Sequence, residues 1–421
     1  MTSNTLFCII ANGVNEMDIQ TILIRNGQNK LLERMKKLNE NERKELTAQL
    51  ESVDWETIQL WKKPFDEIQK GEIKPIEGLK LRDIAAKNEE FLRAGVSAVK
   101  AGKVAAVLLA GGMGTRLGSD MPKGAYNIGV TKPLYIFEQL IRNLQVVCND
   151  CDAVVPLYIM TSEQNDKTTR TFFNEHNYFG YPKDYVRFFM QETAACVDFD
   201  GNLLFESANR LALSPNGNGG WYSSMERAGL VDEAKKKGVE WFNVFAVDNV
   251  LQHIADPAFV GAAILNGTAS AAKVVCKANP HEKVGVLCLE DGLPSVIEYY
   301  ELSEEMANLR AKNGELLYTY GVILNYLFRL DKLEQIAKQK IPVHVVKKKI
   351  THVDENGNVV KPETENGYKF ETLILDMIRL MGSCLPYEVV REKEFAPIKN
   401  QTGVDSVDTA RVLLQKNGVE L

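Results

Sequence analysis

The feature that most constrains this chain is the run Val104–Ala110, VAAVLLA, which passes straight into glycines. Seven apolar residues with no polar face are too few for a typical helix. They match a parallel strand buried on both faces. Such a strand needs neighbours, and the downstream sequence supplies them. PLYIFEQLIRNLQVVC reads as a helix, VVPLYIMTS as a strand, NDKTTRTFFNEHN as a helix and YVRFFMQ as a strand, and VEWFNVFAVDN is a further buried strand. This alternation predicts an α/β sheet with crossover helices. Shorter strand-like pieces, AAKVVCKA, KVGVLCLE and PSVIEYYELS, extend the sheet in antiparallel or mixed fashion. VHVVKKKITHVDENGNVVKP reads as a hairpin turning at Asn356-Gly357. ETLILDMIRLMG and VDTARVLLQKNG read as helices.

The first hundred residues are helical in pattern. KLLERMKKLNENERKELTAQLESV carries Leu and Met at helical spacing, and Asp54 stands as an N-cap before WETIQLWKK. A polar stretch, KGEIKPIEG, then precedes the amphipathic LRDIAAKNEEFLRAGVSAVKAG. The expected organisation is a helical domain over residues 1–100, an α/β domain over 101–390 and a short C-terminal segment over 391–421.

Charge and thiol content narrow the function classes. The net charge of −6 gives no global basic field for nucleic acid. No apolar run approaches the roughly 18 residues of a membrane span. MTSNTLFCIIANG lacks a basic segment ahead of its short apolar stretch, so no secretory signal is read and a cytoplasmic setting is expected. Seven cysteines, an odd and dispersed set, fit reduced thiols. The CxxC of Cys148 and Cys151 has no second pair at zinc spacing and reads as two ordinary thiols.

The chemistry is concentrated in LAGGMGTRLGSDMPKG, Leu109 to Gly124. Gly111, Gly112, Gly114 and Gly118 allow tight turns and close approach of backbone N–H groups to phosphate oxygens. Arg116 and Lys123 add two cations to the same loop. The spacing GGxGxxxG departs from the dinucleotide fingerprint, and Pro122 before Lys123 departs from the P-loop. Asp248 ends the apolar run WFNVFAV, where ligands sit in open α/β sheets, and one carboxylate suffices for Mg²⁺ when phosphates and water complete its shell. The same Asp also suits a turn cap.

The run LxxGGxGTRLGxxxPKG resembles the signature of the eukaryotic UDP-sugar pyrophosphorylase family, and within it the branch acting on N-acetylglucosamine. LYIMTS, NYFGY, VRFFMQ, SPNGNGG, FAVDN, DPAFVG, KVGVLCLEDG, IEYYELS, KPETENGYKFE, YEVVREKEFAPIKN and TAR follow in the same order, over roughly Val104 to Arg411. The resemblance implies a Rossmann-like mixed sheet flanked by helices, of nucleotide-diphospho-sugar transferase type. It implies in-line attack by a sugar 1-phosphate on the α-phosphorus of UTP, giving a UDP-sugar and pyrophosphate with Mg²⁺ as cofactor. The attacking oxygen is already anionic, so catalysis reduces to positioning and charge neutralisation.

By that resemblance, Leu109, Ala110, Gly111, Gly112 and Gly114 lie against the nucleotide. Arg116, Lys123 and Lys399 are the catalytic cations, and Asp248 is the metal ligand. Gln191 reads the uracil edge, Gly217 lets its loop approach the base, and Asn218 contacts the sugar side. Gly285 and Glu298 line the sugar, and Lys369 reaches the phosphates. Lys347, Lys348 and Lys349 read instead as a solvated strand face.

Three departures from the family pattern bear on the expectation. Val322 stands where the family has an asparagine that touches the sugar, which leaves glucose, galactose or N-acetylgalactosamine 1-phosphate as alternative substrates. Met190 replaces one of a pair of glutamines. The sequence closes soon after the TAR segment without the family's small β domain, so a monomer is expected. A non-catalytic UDP-sugar binder is the reading from another class, and the full set of charged residues weighs against it.

Overall fold

The computed structural model describes residues 16–62 and 71–421. The N-terminal stretch read for a signal, with Lys63 and Lys70 of the predicted segments, lies outside them. The chain divides into two compact units. One comprises Met1–Ile68, Glu192–Gly217 and Pro342–Leu373, and the other Gln69–Gln191, Asn218–Ile341 and Ile374–Leu421. These bounds do not coincide with the expected divisions at residues 100 and 390.

The helix Leu81–Lys100 shows why, because it belongs to the larger unit. It packs along the apolar helix Pro257–Leu265 with the two backbones nearly touching. A Cβ at Gly95 would lie 1.7 Å from the Pro257 carbonyl oxygen, and one at Gly261 would lie 1.9 Å from that of Phe91. Only glycine admits this approach.

In the larger unit a mixed sheet is built from ten strands, here numbered β1 Ile73–Pro75, β2 Val104–Leu109, β3 Leu157–Thr161, β4 Val186–Met190, β5 Trp241–Ala246, β6 Ser270–Cys276, β7 Val286–Glu290, β8 Leu293–Ile297, β9 Tyr320–Arg329 and β10 Cys384–Glu388. Strands β4, β3, β2 and β5 run parallel in that order. The predicted strand 104–110 is buried on both faces as expected: Val104, Ala106, Leu108 and Ala110 enter one apolar cluster, and Ala105, Val107 and Leu109 the other.

The antiparallel extension hangs on β9. Its second half pairs with β5 through Asn325–Arg329, and on the same edge Gly321 pairs with Val286 of β7. Its other edge pairs with β6, and the register shifts between Val322 and Tyr326, where Leu324 adopts φ +54°. A bulge of this kind bends the strand. Beyond β7 lie β8 and β1, both antiparallel to it, and β10 runs parallel to β6.

The smaller unit joins N-terminal helices to short strands. The predicted helix 30–53 is two helices, Asn29–Lys36 and Glu40–Glu51. Asn39 separates them, and its side chain accepts from the Glu42 N–H while the Glu42 carboxylate accepts from the Asn39 N–H. Asp54 caps as predicted, its Oδ1 accepting from the N–H groups of Glu56 and Thr57 at 3.1 Å. Leu23, Leu31, Leu46 and Leu50 share a core with Val197, Leu203 and Phe370.

The expected hairpin 343–362 is smaller than predicted. His352–Val353 pairs with Val359–Val360 around Asn356-Gly357, whereas Val343–Lys348 pairs with Gly367–Thr372. The helix expected from Glu371 accordingly begins at Ile374. Lys347, Lys348 and Lys349 are exposed, as expected of a solvated strand face. No helix among the described residues is long and apolar enough to cross a membrane.

Candidate functional site

The carboxyl ends of β2, β3, β4 and β5 bring most of the predicted residues of the larger unit together. After Leu109 the backbone leaves the sheet, with the Ala110 N–H donating to Met160 O (2.8 Å) and the Val247 N–H to Leu109 O (3.2 Å). Two side chains from the turn after β3 then fix the glycine loop. Asn165 donates through Nδ2 to Ala110 O (2.9 Å) and Gly112 O (3.3 Å), and Ser162 donates through Oγ to Gly111 O (2.9 Å). Both are buried, and sequence reasoning had passed over them. A polar pair directly after a buried strand, in MTSEQN, was the available signal.

The loop glycines differ in what surrounds them. A Cβ at Gly111 would lie 2.9 Å from Oε1 of Gln191, which leaves β4 with its N–H donating to Thr161 O (2.7 Å). Gln191 and the loop are therefore neighbours. Among the described residues, a Cβ at Gly112 meets nothing within 4 Å. Gly114 folds the loop back on itself, donating to Met121 O (2.9 Å), and Gly118 takes φ +70° beyond the short turn that carries Arg116.

Lys123 and Asp248 meet across the site, with Nζ 3.8 Å from Oδ2. Burial pushes the Lys123 ammonium below its ordinary value, and the positive charges of Lys399 and Arg116 push the same way against Asp248. Three other predicted charged residues, Asp248, Lys399 and Arg116, thus act on Lys123 here. Lys399 arrives on the segment after Phe395, where the Ile398 N–H donates to Asp248 O (2.8 Å). Its Nζ bonds to Asp405 Oδ2 (3.0 Å), and Gln401 Nε2 donates to Leu117 O (3.1 Å) in the glycine loop.

A second cluster holds the three residues predicted to line the sugar. A Cβ at Gly285 would lie 3.0 Å from Val296 Cγ1, 3.4 Å from Val322 Cγ2 and 3.8 Å from Glu298 Oε1. The Val322 N–H donates to Gly285 O (2.9 Å). Val322 is the last residue of β9 in register before the bulge.

Two predicted residues have structural work of their own. Gly217 lies at φ +89°, and a Cβ there would meet the Thr372 backbone, 2.1 Å from its oxygen. Asn218 accepts through Oδ1 from the Ile374 N–H (3.0 Å), at the start of the helix Ile374–Leu380. Gly217 and Lys369 belong to the smaller unit, Lys369 pairing with Val346 across its sheet. Met190 is exposed at the end of β4.

Two other groupings are not metal centres in form. His253, Asp256 and Glu394 lie within ligand distance of one another, but Lys273 Nζ sits among them, 2.8 Å from Asp256 Oδ2 and 2.7 Å from Glu394 Oε2. The lysine already supplies the cation. Cys151 is packed in the core, and Cys148 Sγ lies 3.4 Å from the Tyr181 hydroxyl.

Residues 37–418 match the family described as UTP--glucose-1-phosphate uridylyltransferase. The chain belongs to this family. Human UDP-N-acetylhexosamine pyrophosphorylase-like protein 1 is 41% identical over 331 residues, 76% of this chain and 65% of that protein. The UDP-N-acetylglucosamine pyrophosphorylase of Saccharomyces cerevisiae is 35% identical over 433 residues, 95% of this chain and 90% of that protein. The crystal structure of the Trypanosoma brucei uridine diphosphate N-acetylglucosamine pyrophosphorylase superposes with a TM-score of 0.77 at 26% identity, covering 96% of this chain and 85% of that one. The chain thus spans just under two thirds of the human relative's length and most of the other two. The resemblance read from the glycine loop and the α/β fold expected from strand alternation are both borne out.

Proposed function

We propose that this chain transfers a uridylyl group from UTP to the phosphate of N-acetylglucosamine 1-phosphate, forming UDP-N-acetylglucosamine and pyrophosphate. The observation that carries the reading is the convergence of Arg116, Lys123, Asp248 and Lys399 on a glycine loop at the ends of the parallel strands. A sugar-phosphate oxygen forms a bond to the α-phosphorus while the bond from that phosphorus to the bridging oxygen breaks. Negative charge passes to the leaving pyrophosphate, and fixed cations stabilise it as it develops. Arg116, Lys123 and Lys399 are assigned that task. Gln191, beside Gly111, is assigned to the uracil edge, where an amide offers both a donor and an acceptor. Leu109 to Gly112 and Gly114 support the nucleotide.

Asp248 fits a divalent cation, which we take to be Mg²⁺. Its carboxylate is partly exposed, with Lys123 Nζ 3.8 Å from Oδ2, and a hard cation bound with phosphates needs one such ligand. Held by Asp248, the ion would supply positive charge against the phosphates. Gly285, Glu298 and Val322 are assigned to the sugar, and Asn218 to its neighbourhood. The roles of Gly217 and Lys369 rest on the resemblance alone. Because the Val322 side chain offers no hydrogen bond, another hexose 1-phosphate is the second reading. The six described cysteines are free thiols, which supports a reducing, cytoplasmic setting.

The test is pyrophosphate release from UTP and Mg²⁺ with a panel of sugar 1-phosphates, run beside ATP, CTP and TTP. Turnover with N-acetylglucosamine 1-phosphate is expected, and Asp248→Asn should lower it by about 100-fold or more without loss of fold. Wild-type turnover in that variant would remove the metal assignment. Preference for glucose or galactose 1-phosphate would favour the second reading, and silence across the panel would favour a binding protein.

A further inference from the structure

The turn that carries Asp248 and the segment that carries Lys399 are far apart in sequence and are joined through one buried side chain. Asn249 is 1% exposed. Its Nδ2 donates to Glu394 O (2.8 Å), and its Oδ1 accepts from the Ala396 N–H (2.9 Å) and from the Leu251 N–H (3.4 Å). Backbone bonds flank it on both sides, Val250 N–H to Ala396 O (3.3 Å) and Ile398 N–H to Asp248 O (2.8 Å). One amide plane therefore spans the gap with a donor and an acceptor, which neither a carboxylate nor an aliphatic side chain provides.

The segment needs such a tie. Residues 395–399 form no regular strand or helix, and these bonds place them together with the core packing of Ala396 and Ile398 and the Lys399 N–H donating to Asp405 O (2.6 Å). Asn249 adjoins Asp248 in sequence and holds Ala396, three residues before Lys399. Glu394, just upstream, is anchored through its carboxylate to Lys273 on β6. The tie thus runs from the sheet, through the segment, to the turn after β5.

We propose that Asn249 is a positioning residue that sets the Lys399 ammonium relative to Asp248, so that its contribution to turnover passes through Lys399. The inference rests on the catalytic assignment of Lys399 above. A displacement of about 1 Å at such a group lowers turnover by on the order of 100-fold.

A double-mutant cycle between Asn249→Ser and Lys399→Ala tests it, with kcat and KM measured for UTP and N-acetylglucosamine 1-phosphate and Tm for each variant. Asn249→Ser should lower kcat about 10- to 100-fold with KM for the sugar phosphate nearly unchanged. In the Lys399→Ala background the same change should cost less than about threefold in kcat, while the fall in Tm stays the same in both backgrounds. An equal fold-loss in the two backgrounds, or wild-type kcat in Asn249→Ser, overturns the proposal. Wild-type kcat in Lys399→Ala alone would instead bring down the Lys399 assignment, and the inference with it. Asn249→Asp keeps the acceptor for Ala396 and enters the same cycle, so that a poorly folding Asn249→Ser does not close the question.

Discussion

Lys273 lies wholly buried on β6, with its ammonium held between Asp256 and Glu394. Burial alone would lower its pKa, but the two carboxylates outweigh burial and raise it. Burial would likewise raise the Asp256 carboxyl, and Lys273 reverses the sign and holds it low. Substituting Lys273→Met preserves much of the volume and removes the charge. Breaking a buried pair from one side costs about 3–5 kcal/mol, because the remaining charge is left unpaired. For a unit of this size that is a fall in Tm on the order of 5–10 °C at pH 7.

The pH dependence gives the sharper test. In the wild type, Asp256 has a lowered folded pKa, so its contribution is present above the ordinary 3.8 and is lost as pH falls through the folded value. Lys273 has a raised folded pKa, so its contribution is full below the ordinary 10.5 and is lost as pH rises through the folded value. Both contributions are therefore intact between pH 5 and 8. In Lys273→Met, burial acts on Asp256 without its counter-charge and raises its pKa. Protonation then relieves the penalty as pH falls. Thermal unfolding by circular dichroism at pH 8, 7, 6 and 5 should show the gap between variant and wild type narrowing toward pH 5. A gap of constant size, or one below about 1 kcal/mol at pH 7, would refute the argument.

Gly111→Ala should leave Tm nearly unchanged, since the one tight contact of the added methyl is the movable end of Gln191 at 2.9 Å, and Ser162 lies at ordinary distances of 3.6 and 3.7 Å. It should raise KM for UTP about tenfold by turning that amide away, and an unchanged KM would separate Gln191 from base recognition. Val322→Asn should raise the ratio of kcat/KM for N-acetylglucosamine 1-phosphate over glucose 1-phosphate about tenfold. An unchanged ratio means that residue 322 does not face the sugar.

Much of this molecule was legible locally. A strand buried on both faces must be apolar at successive positions, so VAAVLLA declared itself, and the glycines after it marked the turn at its carboxyl end. Caps are equally local: Asp54 and the residues it bonds lie within one turn. Gly285, Glu298 and Val322 were named one by one through the family resemblance, but their meeting depends on β7, β8 and β9 pairing around a bulge. The same limit applied to the helix Leu81–Lys100. Its periodicity revealed a helix, while its assignment to the larger unit was decided by backbone contact at Gly95 and Gly261.

The buried polar groups mark the boundary most clearly. Asn243 interrupts FNVF, and Asn249, Lys273 and Glu394 look in sequence like ordinary polar residues. Each becomes intelligible only beside its partner, Asn243 Oδ1 with the Ala255 N–H (2.6 Å) and Asn249 with Glu394 and Ala396. A hydrogen bond between distant segments leaves no period and no spacing in the chain. Local sequence therefore determined the strands, turns and candidate cations, and tertiary structure decided which of them face one another, because the bonds that hold them close only when the chain is folded.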